Sequence, residues 1–264
     1  MGSVMPRIFT ASDYWFEMCA DILVQEGNLE LTSRYWVVGL GSGFRTLHKL
    51  LQEPRDITGT AHITKVHIGK YRSIKVTTVA IAGGPIYTEW VVALAWRRGV
   101  RAMIGVGLCG ALDEELEVGD VVVPTGAIRE ENTTQQYVPR EYPAVPDYRL
   151  LRIVQDVLKE MYPELRTHYG VVLTTPATFV EEPDWGRRWN MYRVLAVECE
   201  VSVLYTLTYL ANIPCIALLV VSDHVTKSRP YEELKKLEPL IAQNYEKIAK
   251  IALETLHRYA QARE

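Results

Sequence analysis

The sequence predicts an α/β fold around a mainly parallel sheet. Strand-type and helix-type segments alternate along most of the chain. Cys215–Val221 is an apolar run without a charge, the pattern of a strand covered on both faces. No internal repeat and no Gly/Ser- or Pro-rich linker interrupts the chain, so one domain over residues 1–264 is expected.

The elements follow in order. Thr10–Gln25 reads as an amphipathic helix, with Thr10 and Asp13 suited to a capping box. Tyr35–Gly39 is a short strand and Phe44–Leu51 a helix. Ala61–Gly69 and Ile74–Ile81 are strands around a turn at Lys70–Ser73. Ile86–Arg98 is a helix, and Ala102–Val106 and Asp120–Ile128 are strands. Asp147–Met161 is helical, and His168–Thr174 is a strand. A short apolar strand ends at Glu198, the apolar helix Val201–Ala211 follows, and Tyr231–Ala262 is a terminal helix rich in Lys/Glu pairs. The stretch between Ile128 and Asp147 has no period, and a loop that long is either functional, interfacial or a simple surface excursion.

Composition excludes several classes. Apolar residues make up 48% and charged residues 23% of 264, an ordinary globular balance with enough chain for a large core. A net charge of −3 offers no nucleic-acid footprint and no patch for anionic membranes. No uncharged stretch is long enough to span a membrane, and Met1–Thr10 lacks a signal-peptide core, so a cytoplasmic protein is expected. Cys19, Cys109, Cys199 and Cys215 sit singly in apolar segments. They read as reduced, buried thiols, with no metal site expected.

Chemistry-bearing residues gather at strand ends. In parallel sheets ligands sit beyond the carboxyl ends of strands. Glu198, Glu200 and Asp223 are therefore expected at one rim, where carboxylates can grip hydroxyls or hold a proton. The alternative is that the two glutamates serve the helix N-terminus and that Asp223 caps a loop. Gly39-Leu-Gly-Ser-Gly-Phe-Arg45 and Ala82-Gly-Gly-Pro85 are glycine turns into helices, suited either to an anion or simply to tight turning. Arg45 would add a two-pronged phosphate contact. Gly105-Val-Gly-Leu-Cys-Gly110 marks backbone closely approached by another group.

Taken together these segments resemble the nucleoside phosphorylase/uridine phosphorylase superfamily. The matching order is Gly41…Arg45, Gly83-Gly84-Pro85, Gly107-Leu-Cys-Gly110-Ala-Leu, Val118-Gly-Asp, Tyr142-Pro-Ala-Val-Pro-Asp147, Thr178-Phe179, Glu198-Cys-Glu200 and Ser222-Asp223-His224. The resemblance implies a three-layer sandwich with a mixed, largely parallel sheet. It also implies a pentosyltransferase that cleaves the N-glycosidic bond of a purine or pyrimidine nucleoside with inorganic phosphate. No cofactor is implied beyond that co-substrate, and a homo-oligomer (dimer or hexamer) serving nucleoside salvage is. By resemblance Gly41 and Arg45 bind phosphate, Glu198, Cys199 and Glu200 bind ribose, and Phe179, Cys109, Gly110 and Asp223 meet the base. Glu200 and Asp223 are the catalytic pair.

The chain departs from the family pattern in places. Gly105 and Leu108 stand where phosphorylases carry an arginine and a Ser/Thr for phosphate. No arginine stands near Ala61, where a neighbouring subunit usually donates one. Pro183 and Trp185 replace the uracil-reading Gln-x-Arg pair, while Arg187 and Arg188 lie nearby. These losses keep open a hydrolytic nucleosidase using water, or a non-catalytic nucleoside-binding member. Asp223 inclines the base preference slightly towards purines.

Overall fold

The computed structural model describes residues 8–41, 46–60, 64–227 and 231–262. Within these residues nine strands form one sheet: β1 Tyr35–Gly39, β2 Gln52–Asp56, β3 Lys65–Tyr71, β4 Ile74–Ala80, β5 Ala102–Ala111, β6 Val121–Arg129, β7 Thr167–Thr174, β8 Val194–Glu198 and β9 Cys215–His224. Among the described residues six α-helices pack on it: α1 Asp13–Leu23, α2 Pro85–Arg97, α3 Tyr148–Met161, α4 Pro183–Asn190, α5 Val201–Leu210 and α6 Tyr231–Gln261.

The strand order is β2-β3-β4-β1-β5-β8-β7-β6-β9, and β9 also pairs with β5, which closes the second half of the sheet into a ring. Pairing is parallel for β4–β1, β1–β5, β5–β9, β6–β7 and β7–β8. It is antiparallel for β2–β3, β3–β4, β5–β8 and β6–β9. One face buries Phe16, Leu23, Val91, Val92, Leu204 and Leu207 of α1, α2 and α5 against the sheet. The other buries Leu150, Val154, Ile248 and Leu256 of α3 and α6. These are the three layers of the expected sandwich.

Several boundaries differ from the sequence reading. The first helix starts at Asp13 behind Ser12, with no side-chain cap bond, so the box expected from Thr10 does not form. It stops at Leu23 because Val24 bridges Thr58 and the Gln25 N–H donates to the Ile57 carbonyl at 2.8 Å. In place of a helix over Phe44–Leu51 the described residues show a 3-10 turn, Leu47–Leu50, running straight into β2. β2 is exposed along its whole length and carries no apolar pattern, which hid it from the sequence. β5 runs through the glycine cluster to Ala111, and β9 runs on past Val221 to His224. α5 is buried on almost every side, hence its lack of charge.

Candidate active site

The site is built where β8 meets α5. Glu198 is the last residue of β8, and Glu200 holds the N-cap position of α5. Glu198 Oε2 accepts the N–H groups of Glu200 at 2.6 Å and Val201 at 2.7 Å, while its Oε1 accepts the Thr174 hydroxyl. The helix-serving alternative is therefore true of Glu198, whose carboxylate takes the first free N–H groups of α5. Glu200 does something different. Its carboxylate crosses to the N-terminus of α2 and accepts the Gly84 N–H at 2.5 Å.

The second glycine turn closes on that carboxylate, and Gly41 packs against the turn. Gly41 and Gly83 have φ of +91° and +110°, backbone that disfavours any side chain. A Cβ on Gly83 would lie 3.1 Å from Glu200 Oε1 and 3.3 Å from the Gly41 Cα. The backbone at Gly83 is thus packed between Glu200 and Gly41, as close approach requires. Arg45 lies outside the described residues.

The electrostatics follow from burial. Glu198 and Glu200 are 5% and 7% exposed. Burial and then the Glu200 charge push the Glu198 carboxyl above its usual range, against three donated hydrogen bonds. Burial also pushes Glu200 up, against the Gly84 N–H. Two carboxyls so placed titrate as a pair and favour holding one proton between them. Burial, then Glu200, pushes the Cys199 thiol up to about 12, so it stays a neutral, half-buried neighbour of the acids.

Asp223 is the next-to-last residue of β9. It is half-buried, and Ser222 Oγ donates to its Oδ1 at 2.7 Å. Burial raises its carboxyl above the usual range. Gly110 faces it: a Cβ there would sit 3.3 Å from Asp223 Oδ2. Beyond it a cavity of about 320 Å³ is lined by Thr178, Glu181, Asp223 and His224. Burial and then Asp223 push Glu181 up to about 7; this acid carries no sequence signal because it follows a 3-10 turn rather than a strand. The Cys109 thiol feels both Asp223 and Glu198, which links the two acidic ends.

Two assigned base residues need qualification. Cys109 is 3% exposed and packs into the core between sheet and helices, so its thiol is buried, while its carbonyl accepts the Ser222 hydroxyl at 3.2 Å beside Asp223. Phe179 stands fully exposed on the 3-10 turn Thr178–Val180.

The departures have a structural reason. A Cβ on Gly105 would lie 2.7 Å from Leu204 Cδ2 and 3.1 Å from Leu40 Cδ1, while Leu108 packs against the α3–α6 core. Where an anion-binding arginine would start, apolar packing fills the space. Gly105→Arg is therefore expected to destabilise rather than restore an anion site. Overpacking a core costs about 1–3 kcal/mol before any charge is buried, read as a fall in Tm by calorimetry. A variant as stable as the parent would refute this. Trp185, at 9% exposure, is likewise committed to packing, with its ring centroid 6.3 Å from that of Trp189.

A mixed sheet whose strand ends gather an acid pair, two glycine turns and a further acid defines a family, and residues 36–255 match it: the chain belongs to the phosphorylase superfamily. The chain is 38% identical to a guanosine phosphorylase of Halorubrum lacusprofundi over 111 residues, which is 42% of this chain and 45%, less than half, of that protein. It is 32% identical to a DeoD-type purine nucleoside phosphorylase of Geobacillus kaustophilus over 64% of this chain and 70% of that protein. The fold is that of the uridine phosphorylase of Vibrio fischeri ES114 solved with 6-hydroxy-1-naphthoic acid. The TM-score is 0.80 at 21% identity, covering 87% of this chain and 93% of that one.

Proposed function

We propose that this protein is a pentosyltransferase that cleaves nucleosides by phosphorolysis, with purine nucleosides preferred. The observation that carries the reading is the buried Glu198/Glu200 pair held between the N-termini of α2 and α5. In the reaction the C1′–N bond breaks, its electron pair leaves with the base, and a phosphate oxygen bonds to C1′. The sugar becomes cation-like as it passes between them, and a carboxylate at the ribose stabilises that charge. Glu200 accepts hydrogen bonds from the ribose hydroxyls, with Glu198 and Cys199 beside it.

Asp223 supports the purine preference. A carboxyl raised by burial can hold a proton near neutral pH and share it with N7 of the departing base. The curated relatives are named for purine substrates, and Trp185 is packed where a uracil-reading residue would stand. Assembly as a homo-oligomer, a cytoplasmic location and a part in nucleoside salvage belong to the same proposal. Exposed Tyr14, Trp15 and Ile86 on α1 and α2 give an apolar face for assembly.

One observation favours a second reading. Gly105 and Leu108 present no side chain to an anion, so water could replace phosphate as the nucleophile. Cleavage of inosine, adenosine, guanosine, uridine and thymidine with and without phosphate decides both matters. Phosphate-dependent release of purines supports the proposal. An unchanged rate without phosphate makes the protein a nucleosidase, and uridine preference overturns the base assignment. Asp223→Asn is expected to slow purine nucleosides about a hundredfold, the lower end of the range of general acid catalysis, and to spare nitrophenyl ribosides, whose leaving group needs no proton. Equal slowing of both would reduce Asp223 to a positioning role.

A further inference from the structure

Glu198 has a second life behind the site. Its Oε1 accepts the Thr174 hydroxyl, and that same oxygen of Thr174 accepts the Ser202 N–H at 2.9 Å. Ser202 Oγ then donates to Glu131 Oε1 at 3.0 Å. Glu131 also accepts the Thr134 N–H at 2.9 Å and the Thr134 hydroxyl. Arg129 closes the chain, donating from Nε to Thr134 Oγ1 at 2.8 Å and from its guanidinium to the carbonyls of Pro139 at 2.8 Å and Tyr142 at 2.7 Å. Thr174, Glu131, Thr134 and Ser202 are all fully buried. The network thus runs from the long segment 129–142 to the acid pair without meeting solvent.

We infer that Thr174 is the positioning residue of the site: its hydroxyl fixes the orientation and proton affinity of Glu198, and through Ser202 it ties that carboxylate to Glu131 and the 129–142 segment. The inference rests on the reading of the acid pair as the sugar site. The geometry leaves Thr174 few other roles. Its β-branched side chain suits β7, but a valine would fill the same space, and only the hydroxyl can donate a hydrogen bond to Glu198 while accepting one from the Ser202 N–H in the first turn of α5. The other groups facing Glu198 are the thiols of Cys109 and Cys199 and the phenol of Tyr205, all raised by burial and neutral near pH 7. Glu200 is the carboxyl that acts on it, and Glu131 lies behind Ser202, which donates to it. A donated hydroxyl favours the ionised carboxylate, so its loss strengthens the hold on the proton.

The test compares wild type, Thr174→Val and Thr174→Ser. Protein labelled with 13C at glutamate carboxyls is titrated by NMR, with the Glu198 signal identified by its absence in Glu198→Gln. The kcat/KM for inosine with phosphate is measured across pH on the same samples. Thr174→Val should move the Glu198 midpoint up by about one pH unit, a tenfold tighter hold on the proton, and shift the acidic limb of the rate profile with it. Thr174→Ser should restore both. An unmoved midpoint in Thr174→Val overturns the inference, even if its Tm falls, and Thr174→Ala carries the same test should the valine variant not fold. If wild-type protein cleaves no nucleoside, the functional reading fails while the NMR midpoint still decides the role of Thr174.

Discussion

Glu200→Gln is expected to lower kcat/KM for nucleoside phosphorolysis by about ten- to a hundredfold, and more in kcat than a loss of binding alone would give. The substitution keeps the shape and an oxygen for the Gly84 N–H but removes the charge that faces the developing sugar cation. A charge-assisted hydrogen bond contributes about 1.5–3 kcal/mol, which sets that range. Stability should move the other way. Glu198 and Glu200 are buried beside each other and Glu200 raises the Glu198 carboxyl, so neutralising one relieves the other. Tm should stay level or rise at pH 8, where both would otherwise be forced towards ionisation. Steady-state kinetics with calorimetric binding of the nucleoside and a melting scan report all three effects. Unaltered kcat/KM would remove Glu200 from the reaction.

The second large effect concerns stability. Arg129 is 6% exposed, and its guanidinium holds Thr134, Pro139 and Tyr142 together. Burial works against its charge, and Glu131 is the first charge that sustains it. Arg129→Met fills similar space but leaves buried carbonyls without donors and the Glu131 carboxylate without its cation. Breaking a buried charged network costs about 3–5 kcal/mol, a Tm loss of about 10 °C for a chain of this size. Differential scanning calorimetry measures it directly. A loss of a degree or two would mean that the 129–142 segment is held by its apolar contacts instead.

Much of the acid site was legible because its residues sit where strand patterns end. Glu198 and Glu200 bracket the join of a β pattern and an apolar helix, and Asp223 follows an uncharged run, but their meeting is a matter of register: Gly110 of β5 pairs with Val197 of antiparallel β8 and with Asp223 of parallel β9. Glu181 was not legible, since an acid after an irregular turn has no period to place it. The exposed edge strand β2 and the short polar helix α4 escaped for the same reason.

The long segment shows the division most plainly. Its Arg129, Glu131 and Thr134 look like ordinary polar residues of a surface loop in the sequence, yet the structure buries all three. Period and composition determine which residues face a layer, because side chains alternate on strands and recur every turn on helices. They set the α/β class, the main helices and the placing of the acids at strand ends. Which acid does what was decided by tertiary contact. Glu198 turns inward to α5 and Thr174, Glu200 reaches across to Gly84, and Gly105 is closed over by Leu40 and Leu204. Hydrogen bonds and packing between segments more than a hundred residues apart, such as Glu200 and Gly84, leave no period in the chain. They exist only once the layers have come together.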